Sequence, residues 1–135
     1  MKATDLMVGD WVYAKVQVDD TGAEPVFEKT PKRVTDLTKG INGIYVEGTS
    51  TFAGAEIEPI PLTPEILEEN GFESRGAQFF CDRIGMIWWK DNIFIFSKYI
   101  QHEDLPTEYI SINIGYVHEL QHALRLCGID KEITL

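Results

Sequence analysis

Over the first 60 residues, apolar and polar positions alternate in short runs, and no stretch repeats with a helical period. Residues 8–16 open on a Gly9-Asp10 turn and then alternate, the pattern of a strand with one buried face. Asp20-Thr21-Gly22 follows as a turn signal. Three further segments read as extended: residues 32–37, with Val34 as the clearest β-former, residues 43–48, bounded by glycines, and residues 55–60. Short strands at this spacing predict a small closed or nearly closed barrel of SH3-like type.

The pattern changes at Pro59-Ile60-Pro61-Leu62-Thr63-Pro64. Two prolines in extended backbone make a stiff connector, and Thr63 followed by Pro64 reads as a helix cap and first helical residue. A short helix over 64–70 follows, stopped by Gly71 as the left-handed residue, with Phe72 expected to fold back on it. Residues 77–82, 85–89 and 93–99 are rich in aromatic and β-branched side chains, and Asp91-Asn92 suits a tight hairpin turn. Ile93-Phe94-Ile95-Phe96 is apolar at every position, which predicts cover on both faces of that strand. After a loop at Asp104-Leu105-Pro106-Thr107, residues 109–114 give another strand and 115–127 a final helix closed by Gly128. The expectation is an α+β chain with a boundary near residue 60. A small SH3-like β-barrel occupies 1–60; a short helix, an antiparallel sheet and a C-terminal helix occupy 61–135.

The 135 residues are 44% hydrophobic and 25% charged, which is ordinary for a folded protein with one core or two small ones. No apolar run nears the roughly 20 residues that span a bilayer, and Met1-Lys2-Ala3-Thr4-Asp5 lacks the apolar stretch of a secretory signal. These features point to a cytoplasmic chain with no membrane partner. Cys81 and Cys127 have no CxxC or metal-ligand spacing and read as small buried apolar residues. The net charge of −10 argues against general nucleic-acid binding, because phosphate contact needs a surplus of lysine and arginine. A sharper reading of that charge is an acidic face imitating DNA phosphates, although no acidic run outgrows a pair such as Glu68-Glu69.

Candidate chemistry is concentrated in His118-Glu119-Leu120-Gln121-His122, an HExxH pentapeptide. In zinc peptidases this pattern puts two histidine ligands and a general base on one helix. Here Val117, Leu120, Leu124 and Cys127 would share one helical stripe, with His118, His122 and Arg125 on nearly the opposite side. A catalytic zinc also needs a third protein ligand and an open position. The extended metzincin pattern has another histidine six residues after the second; Gly128 stands there, and Arg125 stands where that pattern has glycine. Asp130 and Glu132 are the downstream carboxylates, and His102 and Glu103 are upstream candidates that no pattern singles out. A permanent guanidinium at Arg125, one turn from His122, opposes a bound dication. The balance favours a structural or interaction helix, with no cofactor; zinc belongs to the alternative reading.

The aromatic residues divide similarly. Trp88 and Trp89 are adjacent on a strand and so point to opposite faces, while Trp11 belongs to the first half. Core packing accounts for most of them. A binding groove lined by Trp89 or Tyr99, or self-association through the sheet as a homodimer, are the functional alternatives.

Three stretches carry a resemblance: Asp5-Leu6 with Val8-Gly9-Asp10-Trp11-Val12, then Ile57 through Leu67 with Asn70-Gly71-Phe72, and Tyr116-Val117-His118-Glu119-Leu120-Gln121. Together they resemble a family of small uncharacterised proteins of gut Bacteroides-type bacteria, found on prophages and other mobile elements. The Pro-Leu-Thr-Pro-Glu-Ile-Leu segment with Asn-Gly-Phe is the most specific part. The resemblance implies an origin and no mechanism. It also implies a Val-His-x-Leu-Gln core in which the positions of Glu119 and His122 need not be Glu and His, which would make the zinc motif incidental.

The resulting expectation is a non-enzymatic accessory protein of phage or mobile-element origin that binds another protein. Its expected surfaces are the barrel face at Trp11 and Tyr13 and the polar face of the last helix at Arg125. Two alternatives stand beside it. One is a zinc-dependent hydrolase, with His118 and His122 as ligands and Glu119 as the base that activates metal-bound water. The other is an acidic DNA-mimic inhibitor.

Overall fold

The computed structural model describes residues 6–19, 26–38, 43–47, 57–81, 84–91, 93–100, 104 and 108–135. The chain divides into two compact units, Met1–Ile60 and Pro61–Leu135. Both contain antiparallel sheet, and the two short helices belong to the second, so the fold is α+β. No helix among the described residues is long and apolar enough to cross a membrane.

The first unit is built on β1 (Trp11–Asp19), β2 (Val26–Thr38), β3 (Gly43–Val46) and β4 (Ile57–Pro59), in the order β3-β2-β1-β4. Alternation places Val12, Ala14, Val34, Ile44, Val46 and Ile57 in one buried cluster with Leu6. A turn ahead of β1 launches the sheet. Gly9 takes a φ of 94°, and the buried Asp10 carboxylate accepts the Met7 N–H at 2.7 Å. Val34 closes this turn from β2, its C=O accepting from Gly9 and its N–H donating to the Asp10 C=O, both at 2.8 Å.

β2 runs longer than its sequence suggests, since it begins at Val26 and passes through Pro31. Proline removes a ladder donor, so it survives only where one side of the strand is unpaired. That condition holds here: Pro31 pairs with Tyr13 of β1, whereas β3 joins β2 only from Val34 onward. The SH3-like closure expected of this half is not formed among the described residues, where β3 and β4 each terminate the sheet.

The second unit begins with α1 (Pro64–Glu69). Thr63 is its N-cap, its Oγ1 accepting the Ile66 N–H at 3.3 Å, and Pro64 occupies the first helical position. At the other end Gly71 adopts a φ of 88°. The Gly71 N–H then reaches the Glu68 C=O and the Phe72 N–H the Leu67 C=O, the paired bonds of a Schellman stop. Phe72 folds back into the core as expected.

Five strands follow: β5 (Glu73–Arg75), β6 (Gln78–Cys81), β7 (Ile84–Lys90), β8 (Ile93–Ile100) and β9 (Glu108–Ile114), arranged in sequence order. The β7–β8 turn is tight, with Asp91 at a φ of 51°, as suits a two-residue hairpin loop. Across the inner face, Phe79, Met86 and Phe96 are register partners in one row, and Phe94 and Ile114 in another. All five are buried, and Phe79 meets Phe94 edge-on at 6.0 Å.

The outer face departs from expectation. Ile93 and Ile95 are only half-buried and their neighbour Ile87 is exposed, so Ile93-Phe94-Ile95-Phe96 is covered on one side and partly open on the other. The chain closes with α2 (Val117–Leu126) and a Schellman stop at Gly128, whose φ is 69°. Lys98 of β8 donates to the Cys127 C=O at 3.0 Å, placing a cation at the negative end of that helix.

Candidate functional site

The HExxH pentapeptide lies in the first two turns of α2. Tyr116 is the N-cap residue in extended conformation, and its side chain makes no capping hydrogen bond. Glu119, at the third helical position, supplies one instead. Its Oε1 accepts the N–H of Gly115 at 2.9 Å and that of Tyr116 at 3.1 Å. This is the carboxylate half of a capping box: the side chain turns back along the helix to satisfy donors that have no intrahelical partner. A residue type required for a catalytic base is here explained by helix initiation.

The histidines do not form the exposed pair that the helical wheel suggests. His118 is only 7% exposed, with Nδ1 closed off from solvent, whereas His122 is half-buried. The Tyr116 ring stacks on His118 at 6.0 Å, and His122 meets it edge-on at 5.6 Å. Val117, Leu120 and Leu124 are buried as the stripe requires, but His118, Gln121 and Ala123 are buried too. The helix is therefore enclosed over a wider arc than its apolar residues alone define. Arg125 is exposed in the last turn. Among the described residues, no three His, Cys, Asp or Glu side chains gather at metal-binding range. His102 and Glu103 lie outside the described residues.

In the first unit, Trp11 is buried and the Arg33 guanidinium lies 4.9 Å over its ring, which leaves little indole for a partner. Tyr13 is half-buried on β1, between register partners Pro31 and Glu58. The backbone of Tyr99 is described within β8, opposite Tyr109.

A second surface emerges on β6 and β7. Phe80, Ile87 and Trp89 are exposed on one face, Trp89 most of all at 67%; Trp88 is also exposed, but at the margin of the opposite face, where its register partner is the buried Phe94. The two tryptophans have different roles. Trp88 stacks on Phe94 at 6.4 Å and donates its indole N–H to the Asp91 C=O at 2.7 Å, which ties it to the hairpin turn. Trp89 is the extra residue of a bulge, since Trp88 pairs with Phe94 and Lys90 already pairs with Ile93. The Arg75 guanidinium lies 5.8 Å from the Phe80 ring at one margin. Sequence reading picked out Trp89 and missed Phe80 and Ile87. A signal was present: Ile87 and Trp89 are two apart and so fall on one face, and of the neighbours Phe79 and Phe80 one must point outward. No family model, curated protein or solved structure matches this chain.

Proposed function

We propose that this protein is a non-enzymatic protein-interaction module, an accessory factor of phage or mobile-element origin, and that its contact surface is the outer face of β6 and β7. The exposed set Phe80, Ile87 and Trp89 carries this reading. Large aromatic side chains left in water on a rigid sheet are the composition of interface hot spots, and isolated surface apolar residues do not cluster in this way. The proposal shifts the surface from Trp11 and Tyr13 to a strand pair that the sheet holds in place. For the first unit we keep the SH3-like reading; the long β2, bulged between Val34 and Asp36 and shared by neighbours on both sides, supports it.

The position of Glu119 supports the non-enzymatic half of the proposal. Its Oε1 holds the N–H groups of Gly115 and Tyr116, a structural duty that accounts for a carboxylate at this position without a catalytic role. The test combines zinc analysis with partner capture. Tag-free protein is expected to purify without stoichiometric zinc. Proteins cross-linked to the wild type in host cells should be lost with Trp89→Ser and retained with Tyr13→Ser. One zinc per chain, lost in His122→Ala, would overturn the reading in favour of the hydrolase.

A further inference from the structure

The two sheets end in β3, β4, β5 and β9, and three of these edges carry devices that discourage strand addition. β3 has four residues, β4 has three and ends at Pro59, and β5 has three, of which Glu73 and Arg75 are charged. Short length, proline and charge are the usual means of blunting an edge. Where β1 and β2 run past their neighbours they carry Lys15, Asp19, Glu28, Lys29 and Lys32. β9 is less protected along its length, although just past its end Pro61 bridges Tyr116 and the Leu62 N–H donates to the Gly115 C=O at 2.9 Å. It is seven residues long and pairs with β8 in unbroken register from Phe94↔Ile114 to Ile100↔Glu108. Its sequence contains no proline, glycine or lysine, and its one charge is Glu108 at the start. Among the described residues, no strand pairs with its outer edge.

We propose that β9 is a pairing edge and that its partner is β9 of a second copy of this chain. An antiparallel pairing centred on Ser111 puts Ile110 opposite Ile112, Tyr109 opposite Asn113 and Glu108 opposite Ile114. Next to the axis Ile110 and Ile112 face each other, and no like charges meet at any position, so the centre of the strand is complementary to itself, as a two-fold interface requires. Charge also selects the occupant. An edge shaped for a basic peptide would present carboxylates along its length, and β9 presents one, at its end. The edge suits an uncharged strand, and its own sequence is one.

The product is a continuous ten-stranded sheet with both outer faces on the same side. Five strand spacings separate the two β7 strands, so the apolar surfaces lie about 24 Å apart. Double display of that surface raises avidity for a partner with two matching sites, and this consequence, unlike the pairing itself, rests on the proposed function.

Sedimentation of the full chain from the micromolar to the submillimolar range tests the pairing. The wild type is expected at twice the 15.3 kDa chain mass. Ser111 is exposed, so Ser111→Lys and Ser111→Glu should fold normally by far-UV circular dichroism. Each sets like charges across the axis and should raise the dissociation constant about tenfold or more. Mixing the two variants should restore the dimer, because Lys then faces Glu. A monomeric wild type overturns the pairing, as do single variants that stay dimeric or a mixture that stays monomeric. Trp89→Ser should leave the mass unchanged, which separates failure of the pairing from failure of the interaction surface; dissociation in that variant would move the interface to the outer face and sink the β9 proposal.

Discussion

Glu119 takes hydrogen bonds from two backbone N–H groups at the start of α2, and Asn70 performs a similar service at the end of α1. If Glu119 acts as a cap, its acceptor oxygen matters more than its charge. Glu119→Ala should destabilise the protein by about 1 kcal/mol, and Glu119→Gln by a few tenths, because the amide still accepts while only the favourable charge at the helix N-terminus is lost. Urea unfolding of the three proteins reads this order, and identical midpoints would remove the capping role. Asn70 is buried, and its amide spans two elements: Nδ2 donates to the Ile66 C=O at 2.8 Å and the Thr134 C=O at 3.0 Å, and Oδ1 accepts the Thr134 N–H at 2.8 Å. One side chain thereby imitates a neighbouring strand for the segment leading to Leu135. Asn70→Ala removes the partner of both backbone groups of Thr134, an exposed residue whose groups can turn to water, and should cost about 1 kcal/mol. Hydrogen exchange at Thr134 should accelerate with it; unchanged protection there would mean that the buried Ile133 holds the segment without the amide. Neither role follows from residue type alone, since the same HExxH letters serve a cap here and a base in a zinc enzyme.

Helix boundaries and hairpins were legible in the sequence because each depends on local stereochemistry. Thr63 and Pro64 start α1, Gly71 and Gly128 end the two helices at positive φ, and Asp91 turns the β7–β8 hairpin. Gly71 allows a direct check. A Cβ built there would meet the Lys131 Nζ at 3.5 Å, an ordinary contact, so substitution is opposed by backbone conformation and not by crowding. Gly71→Ala should lower stability by about 1–2 kcal/mol and Gly71→Asn by less, since asparagine tolerates the left-handed region. Equal melting points for Gly and Ala would show that the α1 stop can be remade without the positive φ. Features set by tertiary context were less legible. The first half of β2 was hidden because Pro31 reads as a breaker until the unpaired side of the strand is known. β5 was hidden because Glu73-Ser74-Arg75 has no apolar signal and is extended only through its pairing with β6. Burial of His118 was hidden because a helical wheel assigns a polar residue to solvent, whereas here the rings of Tyr116 and His122 pack against it. The outer-face cluster was readable by parity, yet which face a helix covers is a property of the assembled unit.

Charge is the property that belongs to the molecule as a whole. With 22 acidic against 12 basic residues, the compact state concentrates like charge that the unfolded chain can spread. Among the described residues, two of the ion pairs that offset this are weak ones. Lys29–Glu58 at 2.6 Å and Arg75–Glu73 at 3.3 Å are both exposed on each side, the class that contributes about 1 kcal/mol or less. Screening therefore relieves more repulsion than it loses attraction. Raising ionic strength from about 0.01 to 0.15 M shortens the Debye length from about 30 to 8 Å, within the dimensions of a small protein. The urea midpoint at neutral pH should rise over that range, and with chloride salts the effect should level off once screening is complete. The same reasoning reaches the β9 pairing. Two chains of charge −10 repel as they approach, while the edge they share is uncharged through its centre, so salt should strengthen the dimer. An interface held by opposite charges would weaken instead. A dimer that dissociates as salt is added would place its contacts among the acidic and basic side chains, away from Ser111 and its isoleucine neighbours.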